Sequence, residues 1–186
     1  MNISWVIADG YQVDPTIDLN MLKNIGPIWG SWRTWRSCGT DNVICHDATK
    51  SQELIQRDFQ KNCNFFVPEK NYRALGRPQG VQFYGGGFEH ETHSIEDVVA
   101  LHLASSCSGI VLMLGFNLQK IPTEITDRFE LHKLKNYQGL IRSLIDNRSG
   151  IQWVLIEHDS DTDKYFRELD NFTKDSLKNV LDLLTH

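Results

Sequence analysis

The sequence predicts a single α/β domain in which a mostly parallel sheet lies between two layers of helices, and three observations lead there. Short, continuously apolar β-rich runs recur along the chain, amphipathic stretches of helical period stand between them, and the runs are apolar throughout rather than at every second residue. The last point means that both faces of each strand are covered, which a parallel sheet flanked by helices achieves. The expected architecture is a Rossmann-like or flavodoxin-like three-layer sandwich of about five or six strands.

Taken in order, the strands are expected at Ile3–Ile7, Asn42–Cys45, Asn64–Val67, Val81–Tyr84, Gly109–Leu114 and Ile151–Ile156, each rich in Val, Ile or aromatic residues. Helices are expected over Ser51–Lys61, where Thr49 and Gln52 read as a T-x-x-Q capping box, over Ile95–Ser105 after Ser94, over Arg128–Asn147, and over Lys174–Leu184 after Thr173. Gly26–Asp41, Pro68–Gly80 and Asn117–Thr126 lack a clear period and read as connections that frame a pocket. No internal repeat divides residues 1–186, so one domain is expected.

Composition narrows the partners. A formal net charge of −5 argues against a nucleic-acid polymer, whose binding depends on many cationic phosphate contacts. No apolar run has the ~18 residues that cross a bilayer, and Met1-Asn2-Ile3-Ser4-Trp5 lacks a basic leader, so a cytoplasmic location without a membrane partner is expected. Cys38, Cys45, Cys63 and Cys107 form no C-x-x-C pair, which suits a reducing compartment. Cys45, Cys63 and Cys107 read as small core residues, and Cys38, in a polar stretch, as exposed.

In an open α/β sheet the ligand crevice lies beyond the carboxyl ends of the strands. The residues there are Asp9, Gly10 and Tyr11, then His46 and Asp47, then Gly85 to Glu91, then Asn117, and finally Glu157, His158 and Asp159. The richest stretch is Gly85-Gly86-Gly87-Phe88-Glu89-His90-Glu91-Thr92-His93-Ser94, where three residues without a Cβ precede a helix. Backbone can approach a ligand closely there, and a helix N-terminus favours an anion such as phosphate. Neither G-x-G-x-x-G nor the P-loop pattern is present, and no cofactor is expected. His90 and His93 lack a third metal ligand, so no metal is expected either.

The second unusual stretch, Trp29-Gly30-Ser31-Trp32-Arg33-Thr34-Trp35-Arg36, holds three of the five tryptophans. An indole such as Trp32 stacking on a base, with Arg33 or Arg36 forked onto phosphate, is one reading; packing of the indoles on the domain is another, and a subunit interface is a third. Ligand-binding candidates are therefore Asp9, Trp32, Arg33, Arg36, Asp47, Gly85, Gly86, Gly87, Phe88, Thr92, Ser94 and Asn117. If the chain is an enzyme, Glu89, Glu91, His90 and His93 are the candidate acids and bases. There is no G-x-S-x-G elbow to supply a nucleophile.

The order strand, Gly85-Gly86-Gly87, Thr92, Glu96, helix, apolar strand resembles the phosphate-binding part of the Lonely-guy phosphoribohydrolases and of related nucleotide-sensing Rossmann proteins. The resemblance covers about twenty residues. It implies a nucleotide ligand and a helix-borne glutamate, Glu96, at the site. No proline precedes the glycines here, and Thr92 stands further from them than in that family. The chain also resembles small α/β proteins common in phage genomes; in phage, such domains would modify nucleotides or bind host nucleotide signals. The expected function is binding of a nucleotide or nucleotide-derived phosphorylated molecule, retained without turnover. Cleavage of an N-glycosidic or phosphoester bond is one alternative, and a structural or host-protein interaction module that uses the tryptophan patch is another; the same patch makes a homo-oligomer an expected possibility.

Overall fold

The computed structural model describes residues 2–9, 11, 18–85, 95–121, 124–156, 162 and 164–185. They form an α/β domain around one eight-stranded sheet in the order β5-β4-β3-β2-β1-β6-β7-β8, every neighbouring pair parallel. The strands are β1 Ile3–Ile7, β2 Ile28–Ser31, β3 Asn42–Ile44, β4 Asn64–Pro68, β5 Val81–Tyr84, β6 Ile110–Leu114, β7 Gln152–Ile156 and β8 Phe172–Asp175. The helices are α1 Leu19–Ile25, α2 Trp32–Cys38, α3 Ala48–Gln56, α4 Glu69–Ala74, α5 Ile95–Cys107, α6 Arg128–Asp146, α7 Lys164–Arg167 and α8 Leu177–Thr185, with a 3-10 turn at Phe59–Lys61. No helix among the described residues is long and apolar enough to cross a membrane.

All six expected strands are present, and two more join them. β2 lies inside the stretch read as irregular, because a four-residue strand containing Gly30 carries too short an apolar run to be seen. β8 closes the far edge, where only Phe172 is fully buried, so it lacks the apolar signature of the central strands and takes the start of the expected last helix. The helix after β3 is capped by Asp47, whose carboxylate accepts from the Lys50 N–H, rather than by the Thr49 box. α2 and α4 occupy the remaining parts of the supposed loops.

Alternation along the strands builds two cores. Val6, Ile44, Phe66, Val111, Met113, Trp153 and Leu155 face one side with α5 and α6 residues such as Leu101 and Ile141. Trp5, Ile7, Leu112 and Leu114 face the other with Leu22 of α1 and Val180 of α8, continued by Val43, Phe65 and Val67 beneath the 3-10 turn's Phe59. Burying an aliphatic or aromatic side chain in such a core contributes roughly 1.5 to 3 kcal/mol. Trp29 is packed on Phe66, with ring centroids 5.5 Å apart, yet its indole N–H finds no acceptor among the described residues. Trp29→Phe removes that buried unpaired donor along with some volume, so the stability measured by urea denaturation is expected to change by less than about 1.5 kcal/mol. Loss of 3 kcal/mol or more, the order of a cavity-forming truncation, would show that the indole N–H is bonded in solution.

Strands β1 to β5 run outward in one direction, and the chain then returns through α5 to place β6 on the other side of β1. Between β1 and β6 the direction of winding therefore reverses, and the crevice beyond their carboxyl ends is the place where such sheets receive ligands. α5 makes that return across β1, β2 and β3, and so brings its first turn to the ends of these strands.

Candidate functional site

Four carboxyl groups and one guanidinium gather around that point. The backbone N–H of Asp9, just past β1, donates to Asp97 Oδ1 at 2.8 Å, and that of His46, just past β3, donates to Glu96 Oε1 at 2.8 Å. Glu96 and Asp97 fill the first turn of α5, so adjacent acids of one helix hold two strand ends. Arg33 of α2 reaches Asp9 Oδ2 at 2.9 Å and lies 3.6 Å from Glu96 Oε2. Ser31 ends β2, caps α2 through the Arg33 and Thr34 N–H groups, and donates its hydroxyl to Asp9 Oδ1 at 2.9 Å. Asp47, the α3 cap, adds its negative charge to the surroundings of Glu96.

Burial sets the protonation of this cluster. It pushes the Glu96 carboxyl up to about 7, a rise aided by Asp9 and Asp47 and opposed by the His46 N–H and Arg33. Asp97 is also pushed up to about 7, again by burial first, with the charges of Asp9 and Glu96 adding to the rise. Tyr137 of α6 places its hydroxyl 3.4 Å from Asp97 Oδ2, and burial beside that acid raises the phenol well above its ordinary value. Two adjacent acids raised toward neutrality at the ends of the strands are groups that can give or take a proton during chemistry.

His46 is fixed at three points. Besides the Glu96 contact at its N–H, its carbonyl accepts from Asn71 Nδ2 at 2.9 Å and its Nδ1 pairs with the Tyr84 hydroxyl at 2.9 Å. Asn71 and Tyr84 are both buried, so α4 and β5 position this residue as firmly as α5 does.

On the β6 side, Gly115 has φ +79°, and Tyr11 packs against its Cα. A Cβ there would overlap the Tyr11 ring in a conformation that L residues seldom adopt. Gly115→Ala is expected to cost about 1 to 3 kcal/mol and to displace the Tyr11 ring, read as a lower urea midpoint together with a shifted Tyr11 ring signal. An unchanged midpoint would mean that the packing of Tyr11 on Gly115 yields freely.

The sequence candidates divide as follows. Asp9 and Arg33 belong to the cluster, Asp47 borders it, and Gly85 lies near Glu69. Trp32 is half-buried, with Arg33 and Lys50 over its ring, while Trp29 and Trp35 are packing residues, Trp35 lying edge-on to Phe59. Arg36 is exposed on α2. Asn117 is exposed and closes a local turn by accepting from the Gln119 N–H, and no described contact joins it to the cluster. Gly10, Gly86, Gly87, Phe88, Glu89, His90, Glu91, Thr92, His93, Ser94, Glu157, His158 and Asp159 lie outside the described residues. Among the described residues, no group of three or more His, Cys, Asp or Glu is arranged to hold a metal ion.

Sequence reading missed Asp97 and Tyr137, and reached Glu96 only through a family resemblance. The available signal was an adjacent pair of acids heading an otherwise apolar helix, an expensive place for charge unless partners await it. Cys38, expected in a polar loop, is instead buried on α2, where its thiol donates to the Thr34 carbonyl and burial pushes it up. Cys107 is exposed rather than a core residue.

Comparison with family models, with curated proteins and with solved structures finds no match, so the functional reading rests on this geometry.

Proposed function

We propose that the chain binds a nucleotide or a nucleotide-derived phosphorylated molecule in the crevice beyond β1, β2 and β3, with its sugar on Asp9 and Glu96. The observation that carries this reading is the convergence of Asp9, Arg33, Glu96 and Asp97 at the point where the sheet reverses direction. Carboxylates accept hydrogen bonds from vicinal hydroxyls, and a guanidinium answers phosphate, so the cluster matches a sugar phosphate in both parts. The acids in the first turn of α5 would repel a phosphate, which puts the sugar rather than the phosphate against that turn.

One observation favours turnover over simple retention. A buried Glu96 that titrates near 7 is suited to proton transfer at neutral pH. In cleavage of an N-glycosidic bond, the C1′–N bond breaks and the departing base takes up a proton. Water adds its oxygen to C1′ and loses a proton to the Glu96 carboxylate, which passes that proton on to the departed base and is regenerated, while Asp9 stabilises positive charge on the sugar.

Native mass spectrometry of protein incubated with a panel of nucleotides tests both readings. Recovery of an intact nucleotide in the complex is the result expected for retention. Appearance of free base or released phosphate would select turnover, in which case Glu96→Gln should lower the rate by about 100-fold or more while still binding the substrate. Failure of every nucleotide to bind would overturn the proposal.

A further inference from the structure

Outside the crevice, a row of cations runs across the surface formed by α2 and α3. Arg33, 58% exposed, is its inner end: it touches Asp9 in the crevice and also lies 5.0 Å from the centre of the Trp32 ring. Lys50 Nζ lies 4.6 Å from the same ring and 2.7 Å from Glu53 Oε2. Arg57 reaches Glu53 Oε1 at 3.2 Å, and Arg36 acts on the same carboxylate through its charge. Glu53 thus has Lys50, Arg57 and Arg36 around it, leaving an excess of positive charge in a chain whose net charge is −5.

Among the described residues, the neighbouring backbone offers an anion little else. Ser31 already caps the Arg33 and Thr34 N–H groups of α2, Asp47 caps α3, and the first turn of α5 carries Glu96 and Asp97. A phosphate chain leaving a sugar in the crevice meets carboxyls on the α5 side and guanidinium and ammonium groups on the α2–α3 side. Arginine forks onto phosphate oxygens, and a surface of one sign steers the opposite charge along it.

We propose that Arg33, Lys50, Arg36 and Arg57, laid out around Trp32 and Glu53, form a track for the distal phosphates of a ligand that carries more than one. This rests on the nucleotide reading of the crevice and narrows it to nucleoside di- or triphosphates, or to other nucleotides with a second phosphate. Glu53 holds the cations in place before the ligand arrives and is displaced from them by it.

Calorimetric titration of the wild type and of Arg36→Gln/Arg57→Gln with nucleoside monophosphates, nucleoside triphosphates and inorganic tripolyphosphate, at low and at physiological salt, tests this. Thermal unfolding checks that the variant folds. In the wild type, triphosphates are expected to bind about tenfold or more tightly than the corresponding monophosphates, with the gain shrinking as salt rises. In the variant, the two should bind within about twofold of each other. Equal affinities in the wild type, or a gain that survives both substitutions, would overturn the track and leave the crevice proposal standing. Tripolyphosphate binding that the substitutions abolish, with no nucleotide bound, would support the track and overturn the nucleotide reading. No binding of any probe would overturn both.

Discussion

At pH 8 the variant Glu96→Gln/Asp97→Asn is expected to be more stable than the wild type, by about 2 to 4 kcal/mol. Each carboxyl keeps its proton up to about pH 7 in the folded chain, but only up to about pH 4 when the chain is unfolded. Between those values the folded state binds more protons than the unfolded one, so stability falls as pH rises from about 4 to about 7 and levels off above. The amides carry no charge to bury, and their carbonyl oxygens can still accept from the Asp9 and His46 N–H groups, so the strand ends remain held. A gap of that width corresponds to a ceiling of about 4 kcal/mol for each group; the loss of the Arg33 contact and an imperfect amide fit at Tyr137 reduce the sum.

Urea unfolding at pH 5 and pH 8 measures the effect directly. The wild type should lose stability between the two while the variant stays nearly flat. Parallel pH profiles for the two proteins would mean that the acids are solvated and that the crevice is open to water. If the expected slope appears, these residues oppose folding at neutral pH, which is characteristic of groups placed for binding or chemistry rather than for the core.

Gly26→Ala is the second substitution with a large expected effect, and it acts through sterics alone. Gly26 ends α1 with φ −179°, an extended conformation open to any residue. Its Cα, however, faces the backbone of Ile3 at the start of β1. A Cβ built there would lie 2.9 Å from the Ile3 carbonyl carbon and closer still to its oxygen. No rotamer change can relieve an overlap with backbone, so β1 and α1 would have to separate, at a cost of about 3 kcal/mol or more. Because β1 is a central strand that leads to Asp9 just past its far end, the variant should also weaken the proposed nucleotide binding. Gly139 supplies the contrast: it is exposed in the middle of α6, and a Cβ there meets nothing within 4 Å. Gly139→Ala is expected to stabilise the protein by about 0.5 to 1 kcal/mol. Similar effects of the two alanines in urea titrations would refute the steric account.

The sequence by itself determined the fold class. Six continuously apolar runs separated by helical periods require a sheet covered on both faces, and β1, β3, β4, β5, β6 and β7 lie where those runs stand. The sequence also offered Asp9 and Asp47 as candidates, being polar residues just past apolar runs, and Arg33 as a candidate from the tryptophan and arginine stretch; the fold brings Asp9 and Arg33 within 2.9 Å. Hydrophobic period could not reveal β2 and β8, since a strand of four residues with a glycine, or with one buried side chain, has almost no apolar pattern to read.

The tertiary structure alone decided strand order, and with it the candidate site. Placing β6 beside β1 locates the crevice, and sending α5 back across β1 to β3 brings Glu96 and Asp97 to residues 50 and 88 positions away in the chain. Contacts at that separation have no signature in local periodicity. The same holds for the three tryptophans around Arg33: among the described contacts, Trp29 and Trp35 meet phenylalanine rings and Trp32 receives Arg33 and Lys50. Local sequence fixes which segments become strands and helices through backbone propensity and burial, whereas the chemistry depends on charges brought together across the fold, and their protonation follows from the solvent that packing excludes.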